Sequence, residues 1–382
     1  MVTVASYNLE NLFARPKAFD PLDWSAGEPI VRAYGEFNSL ITDDTYTGAD
    51  RDRMRELLLE VGVYYRNIHN AIRRRPSPTP AWAWLRKNRG TFDRQPRDPT
   101  NNVEITATGR GDWIGWLELA TEPTDEIGTR MTARVITDVD ADILAVVEAE
   151  DRPALVRFNH EMLDGHYRHV MLVDGNDERG IDVGIMTKPG FPIGTIRSHV
   201  DTEDHLGTIF SRDCPQYEVT TPTGTVLHVL VNHFKSQSGG GGNKRRRQAD
   251  AVRDITDRLT ATGEHVIVLG DLNEGQPTLD EPPENLTALF APGGPLVSCY
   301  DLDGFDTGDR PGTFDTCSIR NRLDYILISH SLVPAFTGGT VFRTGLWGTR
   351  KTRPTAWDTY PDMTANIHQA SDHAVVVIDL DL

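Results

Sequence analysis

The chain has 382 residues, 38% of them hydrophobic and 25% charged, a composition typical of an ordinary globular protein. No stretch approaches the roughly 18 consecutive apolar residues of a membrane-spanning helix, so no membrane span is expected. A net charge of -17 argues against broad adhesion to nucleic acid, but it leaves room for a local basic groove.

The N-terminus and the cysteines indicate the cellular context. Residues 1–7 read as a strand without the basic and apolar regions of a signal peptide, so we expect a cytoplasmic protein. Secretion stays open if a leader was removed. The cysteines are widely spaced and form no CxxC pair, which predicts buried apolar side chains, with a single disulfide as the alternative. They are Cys214, Cys299 and Cys317.

The first predicted strand, Val2 to Tyr7, is followed by a long stretch, residues 14–128, that does not resemble a strand-helix-strand connection. Apolar residues at helical spacing within it predict a helix from Asp50 to Arg75. We interpret 14–128 as a partly helical, basic segment inserted into one catalytic domain that spans residues 1–382.

Part of this segment combines positive charge with tryptophan. Residues 66–110 carry ten Lys or Arg against three acids. Arginines interleaved with aromatic side chains can bind phosphates and stack on bases. The alternative is a solvated insertion whose tryptophans pack on the main body. The tryptophans are Trp82, Trp84, Trp113 and Trp116.

From residue 130 the pattern becomes regular, with helices predicted at 130–138 and 244–260. Strands outnumber helices, and several are separated by short turns, which favours an α/β (α+β) fold of two mixed, largely antiparallel sheets with helices outside. The predicted strands are 142–148, 169–174, 182–187, 225–234, 265–270, 323–329 and 374–380.

Polar residues adjoin an apolar strand at six places, usually directly after its last apolar residue. One such residue alone is typical of a turn or a helix cap. Six such places predict a shared polar pocket, if the strand ends meet at one edge of the sheets. The residues are Asn8, Glu10, Glu148, His233, Lys235, Asp271, Asn273, Asp324, Asp372 and His373.

The chemistry of these side chains narrows the function. Carboxylate and amide oxygens without thiolates favour Mg²⁺ or Mn²⁺ over Zn²⁺, with Ca²⁺ also possible. Two histidines, His233 and His373, can transfer protons or donate hydrogen bonds near neutral pH. This combination suits attack of a metal-activated water on phosphorus.

The motifs Gly270-Asp-Leu-Asn273 and Ser371-Asp-His373, with Asn8 and Glu148, resemble the endonuclease/exonuclease/phosphatase superfamily. The resemblance covers nearly the whole chain apart from 14–128, and it implies a four-layer αββα sandwich. His233 is similar to the histidine of the deoxyribonuclease I-like branch.

The resemblance also implies roles for individual residues. Glu148 would be the principal metal ligand, with Asn8, Glu10 and Asp372 near the metal. Asp271 would orient or deprotonate the attacking water, and Asn273 would hold the scissile phosphate. The remaining roles belong to Asp324, which would orient His373, and to His373, which would stabilise the transition state or assist the leaving group.

Further candidates for contact with substrate phosphate are Lys235, Lys244, Arg247 and Asp182. Lys244 and Arg247 belong to a basic run that follows the glycines at 239–242. Flexible backbone and cations beside the pocket could bind phosphate, or they could form a solvated helix start. Asp182 precedes a strand and is interpreted either as substrate-facing or as a strand-entry turn.

We therefore expect a divalent-metal-dependent phosphodiesterase, and first of all a monomeric nuclease for DNA or RNA. A phosphatase or phosphodiesterase for a small-molecule or lipid-linked phosphate is the alternative, which the acidic net charge favours slightly. A binding module with an inactive site is disfavoured, because each expected catalytic position holds a competent residue.

Overall fold

The computed structural model describes residues 1–12, 14–19, 24–76, 81–123, 126–237, 240–348 and 356–382. The chain forms two compact units. The main unit consists of Met1–Phe13 and Asp125–Leu382, and the inserted unit consists of Ala14–Thr124. No helix among the described residues is long and apolar enough to cross a membrane.

Two large sheets form the main unit, and we number its strands and helices within this unit. The strands are β1 (Val2–Leu12), β2 (Ile143–Ala149), β3 (His169–Val173), β4 (Asp182–Thr187), β5 (Ile193–Arg197), β6 (Gln216–Thr220), β7 (Val226–His233), β8 (His265–Asp271), β9 (Leu296–Ser298), β10 (Phe305–Asp306), β11 (Asp324–Ser329), β12 (Phe336–Phe342) and β13 (Val375–Leu380). One sheet has seven strands in the order β3-β4-β2-β1-β13-β12-β10, and the other has six in the order β5-β6-β7-β8-β11-β9.

Both sheets are mixed and largely antiparallel. Only β1 with β2, β7 with β8, and β10 with β12 run parallel within these two sheets. A two-stranded ribbon, Glu203–Asp204 with Gly207–Thr208, completes the strands of the unit. The predicted fold class is therefore confirmed.

Alternation along the strands divides the apolar residues of the main unit into layers. Val229 and Ile267 belong to a core between the sheets, whereas Leu230 and Val268 face the other way. This period of two is expected of strands that are buried on both faces. The resulting architecture is the αββα sandwich implied by the resemblance.

Three helices cover the outer faces of the sandwich. The first two, α1 (Ile127–Val139) and α2 (Arg152–Met162), pack on the seven-stranded sheet, and α3 (Gly242–Ala261) packs on the six-stranded sheet. The α2 helix begins where the Asp151 side chain accepts a hydrogen bond from the Ala154 amide at 2.6 Å, as an N-cap does. Short 3-10 segments lie at Glu284–Leu286, Cys299–Asp301, Ile319–Asn321, His330–Ala335 and Asn366–His368.

Strand register aligns three of the polar residues at the ends of neighbouring inner strands of the six-stranded sheet. His233 pairs with Asp271 across the parallel β7 and β8, and Asp271 pairs with Asp324 across the antiparallel β8 and β11. Gly270 has φ +129°, and a Cβ atom there would collide with the backbone of Asn232. A glycine is therefore required next to Asp271.

The inserted unit has its own hydrophobic core, which contains Phe37, Leu57 and Trp113. Trp113 therefore packs within the inserted unit, and its indole Nε1 donates to the Tyr46 hydroxyl at 3.2 Å. The elements are helices Trp24–Leu40 and Gly48–Glu60, the 3-10 segment Lys17–Phe19, and the strand pairs Ala14–Pro16 with Thr121–Pro123, Tyr64–Arg66 with Ile72–Arg74, Ala83–Gly90 with Trp113–Leu119, and Asp93–Arg94 with Glu104–Ile105.

The helix predicted from Asp50 to Arg75 is only partly correct. A capping box between Thr47 and Asp50 starts it at Gly48, and it ends at Glu60, where Gly62 follows with φ +74°. The apolar residues beyond Gly62 form a hairpin instead. Their spacing fits both the helical period of 3.6 residues and the strand period of two, so Gly62 decides where the helix ends.

Candidate active site

A cavity of about 410 Å³ lies in the main unit at the ends of the central strands. Both sheets contribute to it, because β1 and β2 come from one and β7 and β8 from the other. The predicted residues that line it are Glu10, Glu148, His233, Asp271, Asn273, Asp372 and His373.

A buried hydrogen-bonded pair lies at the base of the cavity. His373 Nδ1 is 2.7 Å from Asp324 Oδ2, which also accepts a bond from the Thr313 hydroxyl at 2.6 Å. The Thr313 oxygen in turn accepts the Asp324 amide N–H at 3.2 Å. Asp324 therefore orients the imidazole, and its Nε2 lies 3.9 Å from both Asp271 Oδ2 and Asp372 Oδ1.

Asn8 lies beneath the cavity and joins its two halves. Its amide nitrogen donates to Glu148 Oε1 at 3.3 Å and to Asp271 Oδ2 at 3.2 Å. Its amide oxygen accepts the Glu10 N–H at 3.0 Å. Asn8 thus orients two carboxylates, and its oxygen keeps a second lone pair, so its predicted role as a metal ligand stays a prediction.

Two of the acids occupy strained backbone. Glu10 and Glu148 have φ of +51° and +65°, and both lie where the β1 and β2 ladders shift register. Asn273 has φ +55°. Non-glycine residues rarely adopt this region, and bulges beside active sites redirect side chains. The strain indicates that these side chains are held for a purpose other than folding.

The acids at the mouth of the cavity fit a divalent cation. Burial, followed by the charge of Asp372, raises the pKa of Glu10 to about 7. Burial also raises the pKa of Glu148 and of Asp372. Crowded carboxylates in a poorly solvated site repel one another, and a cation with a preference for hard oxygen ligands would relieve this.

A second set of possible ligands lies deeper. Single ligand atoms of Asp271, Asp324 and His373 lie within 4.8 Å of one another, close enough to hold a metal ion. However, Asp324 already binds His373 and Thr313, whereas Glu10, Glu148 and Asp372 open on the cavity. Both sets are therefore candidate ligands: the inner set is the compact one, and the outer set opens on the cavity.

The two histidines have opposite electrostatic environments. Burial, then the charges of Arg212 and His373, lowers the pKa of His233 well below its usual range. Burial acts in the same direction on His373, but Asp324, Asp271 and Asp372 overcome it and raise its pKa to about 10. The site therefore disfavours the charged form of His233 and favours the charged form of His373.

Two arginines of the cavity were not predicted. Arg179 and Arg212 both line it, and Arg212 is only 3% exposed. The Asp177 carboxylate holds both, at 2.8 Å from Arg179 Nη2 and 3.1 Å from Arg212 Nε. Arg212 follows no apolar strand, so the strand-end pattern could not reveal it.

Four predicted substrate contacts lie elsewhere. Asp182 is buried and accepts the Gly175 N–H at 2.8 Å, which agrees with the strand-entry alternative. Arg247 donates both guanidinium arms to Asp204, at 2.6 and 2.5 Å. Lys235 and Lys244 line a neighbouring cavity instead. Among the described residues none of the four lines the active-site cavity, and their phosphate contacts stay predictions.

The packed sheets, and the carboxylates and histidines collected at their edge, are features of a phosphoric ester hydrolase. The sequence model of the Endonuclease/Exonuclease/phosphatase family matches residues 120–373, well over half of the chain. The protein belongs to this family. A search of the curated proteins finds no match.

Solved structures similar to this chain have low sequence identity. The mannosyl-6-phosphatase Bt3783 of Bacteroides thetaiotaomicron VPI-5482 is 19% identical, with 67% of this chain and 92% of that chain covered and a TM-score of 0.50. The human Nocturnin catalytic domain with bound sulfate anion is 17% identical, covering 67% and 86%, with a TM-score of 0.48. Truncated Caenorhabditis elegans TDP2 is 17% identical, covering 66% and 90%, with a TM-score of 0.46.

Proposed function

We propose that the protein hydrolyses phosphodiester bonds with a divalent metal ion, Mg²⁺ or Mn²⁺, and that its substrates are nucleic-acid chains. The observation that carries the proposal is a single cavity that combines open carboxylates with two arginines and two histidines. Carboxylates suit a cation, and arginines suit the oxygens of a phosphate.

The metal would be held by Glu148, Glu10 and Asp372. When bound, it would neutralise charge on the nonbridging phosphate oxygens and lower the barrier to attack by water. Arg212 would support the same phosphate, because it is buried and lines the same cavity.

The remaining residues handle the proton and the leaving group. Asp271 Oδ1 accepts the backbone N–H of Asn273 at 2.8 Å, and Asp271 would accept the proton of the attacking water. His373 is oriented by Asp324 and is placed to donate a hydrogen bond or a proton to the leaving oxygen. His233 would donate to a phosphate oxygen, because it lines the same cavity and its Nε2 lies 3.7 Å from Asp271 Oδ2.

A substrate panel tests the proposal. Purified protein with Mg²⁺ or Mn²⁺ is assayed on bis(p-nitrophenyl) phosphate, p-nitrophenyl phosphate, and single- and double-stranded DNA and RNA. We expect cleavage of the diester and of at least one polynucleotide, and loss of both activities in His373→Ala. Release of inorganic phosphate from the monoester, with polynucleotides left intact, would favour the small-molecule phosphatase instead.

A further inference from the structure

A second cavity of about 530 Å³ adjoins the active site within the main unit. Arg179 and Arg212 line both cavities, so the two meet at these guanidinium groups. Lys235, Lys244 and Asn176 contribute further to the second cavity. A substrate bound at the active site can therefore extend past the arginines into a cation-lined space.

Arg212 is a buried charge at this junction. It is 3% exposed, its Nη1 donates a 3.4 Å bond to the Phe234 carbonyl, and its Nε lies 3.1 Å from Asp177 Oδ2. Its ion-pair partner Asp177 is shared with Arg179, which binds that carboxylate through two bonds of 3.0 and 2.8 Å. Asp177 is thus the one carboxylate within ion-pair distance of both guanidinium groups among the described residues, while the active-site acids Glu148 and Asp271 act on Arg212 from further away.

The lysines add further positive charge to the second cavity. The backbone of Lys235 is fixed by Gln248 at 2.9 Å and by Arg245 at 3.0 Å, while no described residue binds its ammonium group. Among the described residues, the Lys244 ammonium donates only to the carbonyl of Thr208. A backbone carbonyl does not neutralise a cation, so both ammonium groups remain available to an anion.

The acids of the second cavity do not balance its cations. Arg179, Arg212, Lys235 and Lys244 face two carboxylates, Asp177 and Glu178, and Asp177 is already bound by the arginines. Convergent guanidinium and ammonium groups are the usual protein ligands of phosphate. The second cavity therefore suits an anionic group. Because this cavity adjoins the active site, the anionic group belongs to the same substrate.

We propose that the second cavity binds the phosphate next to the scissile one in a nucleic-acid chain. The proposal rests on the proposed function, because it assigns the neighbouring phosphate of the same substrate. It deepens that function, since a small monoester has no second phosphate to place there. Its consequence is that cleavage depends on a phosphate that takes no part in the reaction.

The first test uses the wild-type protein with Mg²⁺ and three thymidine dinucleotides: TpT, the same with a 5′-phosphate, and the same with a 3′-phosphate. We expect one terminal phosphate to lower KM by about tenfold, as one charge-assisted contact would. The dependence of log(kcat/KM) on log salt should steepen by roughly 0.7 for that substrate, as expected for one added contact to a single strand.

The second test replaces the lysines while retaining their aliphatic stems. The double variant Lys235→Met, Lys244→Met should lose the roughly tenfold advantage of the terminal phosphate and the added salt dependence. Arg246→Met is the control, because Arg246 lies on the same helix as Lys244, is exposed and donates to the Asn285 side chain instead. It should keep both effects.

The outcomes separate the two proposals. Equal KM values for the three dinucleotides in a protein that hydrolyses TpT would overturn the second-phosphate site and leave the proposed function intact. An advantage that persists unchanged in the double lysine variant would overturn it as well. Failure to hydrolyse any diester would overturn the proposed function and this inference together.

Discussion

Replacing Asp324 by Asn should strongly reduce catalysis while keeping the fold. The Asp324 side chain is fully buried, and one oxygen accepts bonds from His373 at 2.7 Å and Thr313 at 2.6 Å. An asparagine oxygen can accept both bonds, so the shape of the site is retained. What disappears is the negative charge that faces the imidazole.

The structure sets the size of the effect. A hydrogen bond between charged groups contributes about 1.5–3 kcal/mol, which corresponds to roughly 10- to 200-fold in rate. An amide that rotates and donates to Nδ1 would also give the wrong tautomer, so we expect kcat to fall by about 10²–10⁴-fold. The free energy of unfolding should fall by about 1–3 kcal/mol, because the amide NH₂ would replace the buried, unpaired Oδ1 of Asp324.

The assay is steady-state hydrolysis of bis(p-nitrophenyl) phosphate, with urea unfolding of the same samples. The loss should appear in kcat with little change in KM, since Asp324 acts through His373 and does not line the cavity. Asp303→Asn, an exposed change of the same kind, is the control. A folded Asp324→Asn protein that keeps kcat within about threefold of wild type would refute the role derived from this geometry.

The other predictions concern the metal, one ion pair and the thiols. Chelation should abolish hydrolysis, and Mg²⁺ should raise the midpoint of thermal unfolding less in Glu148→Gln than in wild type, because the variant loses a ligand; equal shifts would exclude Glu148 from the site. The Arg179 side chain lowers the pKa of Asp177 from 3.8 to about 2, so its stabilisation is complete above pH 3.8 and is lost as the pH falls toward 2. The stability difference between wild type and Asp177→Asn in urea should therefore shrink over that range, and a constant difference would contradict it. The thiols are free and fully buried, and burial raises their pKa, so a thiol reagent at pH 8 should label none in the native protein and all of them after unfolding; they are Cys214, Cys299 and Cys317.

Much of the candidate site could be predicted because its residues lie next to short apolar runs that are visible in the sequence. Each predicted catalytic or metal-binding residue adjoins an apolar strand, and a strand can be recognised from a short run such as His265–Asp271. Which of these strand ends meet is decided by the pairing of strands far apart in the chain, and this pairing brings His233, Asp271 and Asp324 together. Local patterns also predicted the two mixed sheets and the outer helix Gly242–Ala261.

Other features depend on contacts between residues far apart in the chain. Arg212 enters the cavity from a loop, and its pairing with Asp177 joins segments that the sequence does not relate. Thr313 meets Asp324 only after the intervening loop folds back. Arg247 looked available for phosphate, but the tertiary structure commits it to Asp204.

The sequence by itself predicted the strands and the carboxylate, amide and histidine side chains that adjoin them. These follow from apolar runs that end in polar residues, a pattern that is local and visible in a single chain. Only the tertiary structure decided which cations remain free to meet a substrate, because the charge of a side chain is available only when no neighbour neutralises it. The neighbours of Arg212, Lys235 and Lys244 are set by packing, and packing is not written in any short stretch of residues.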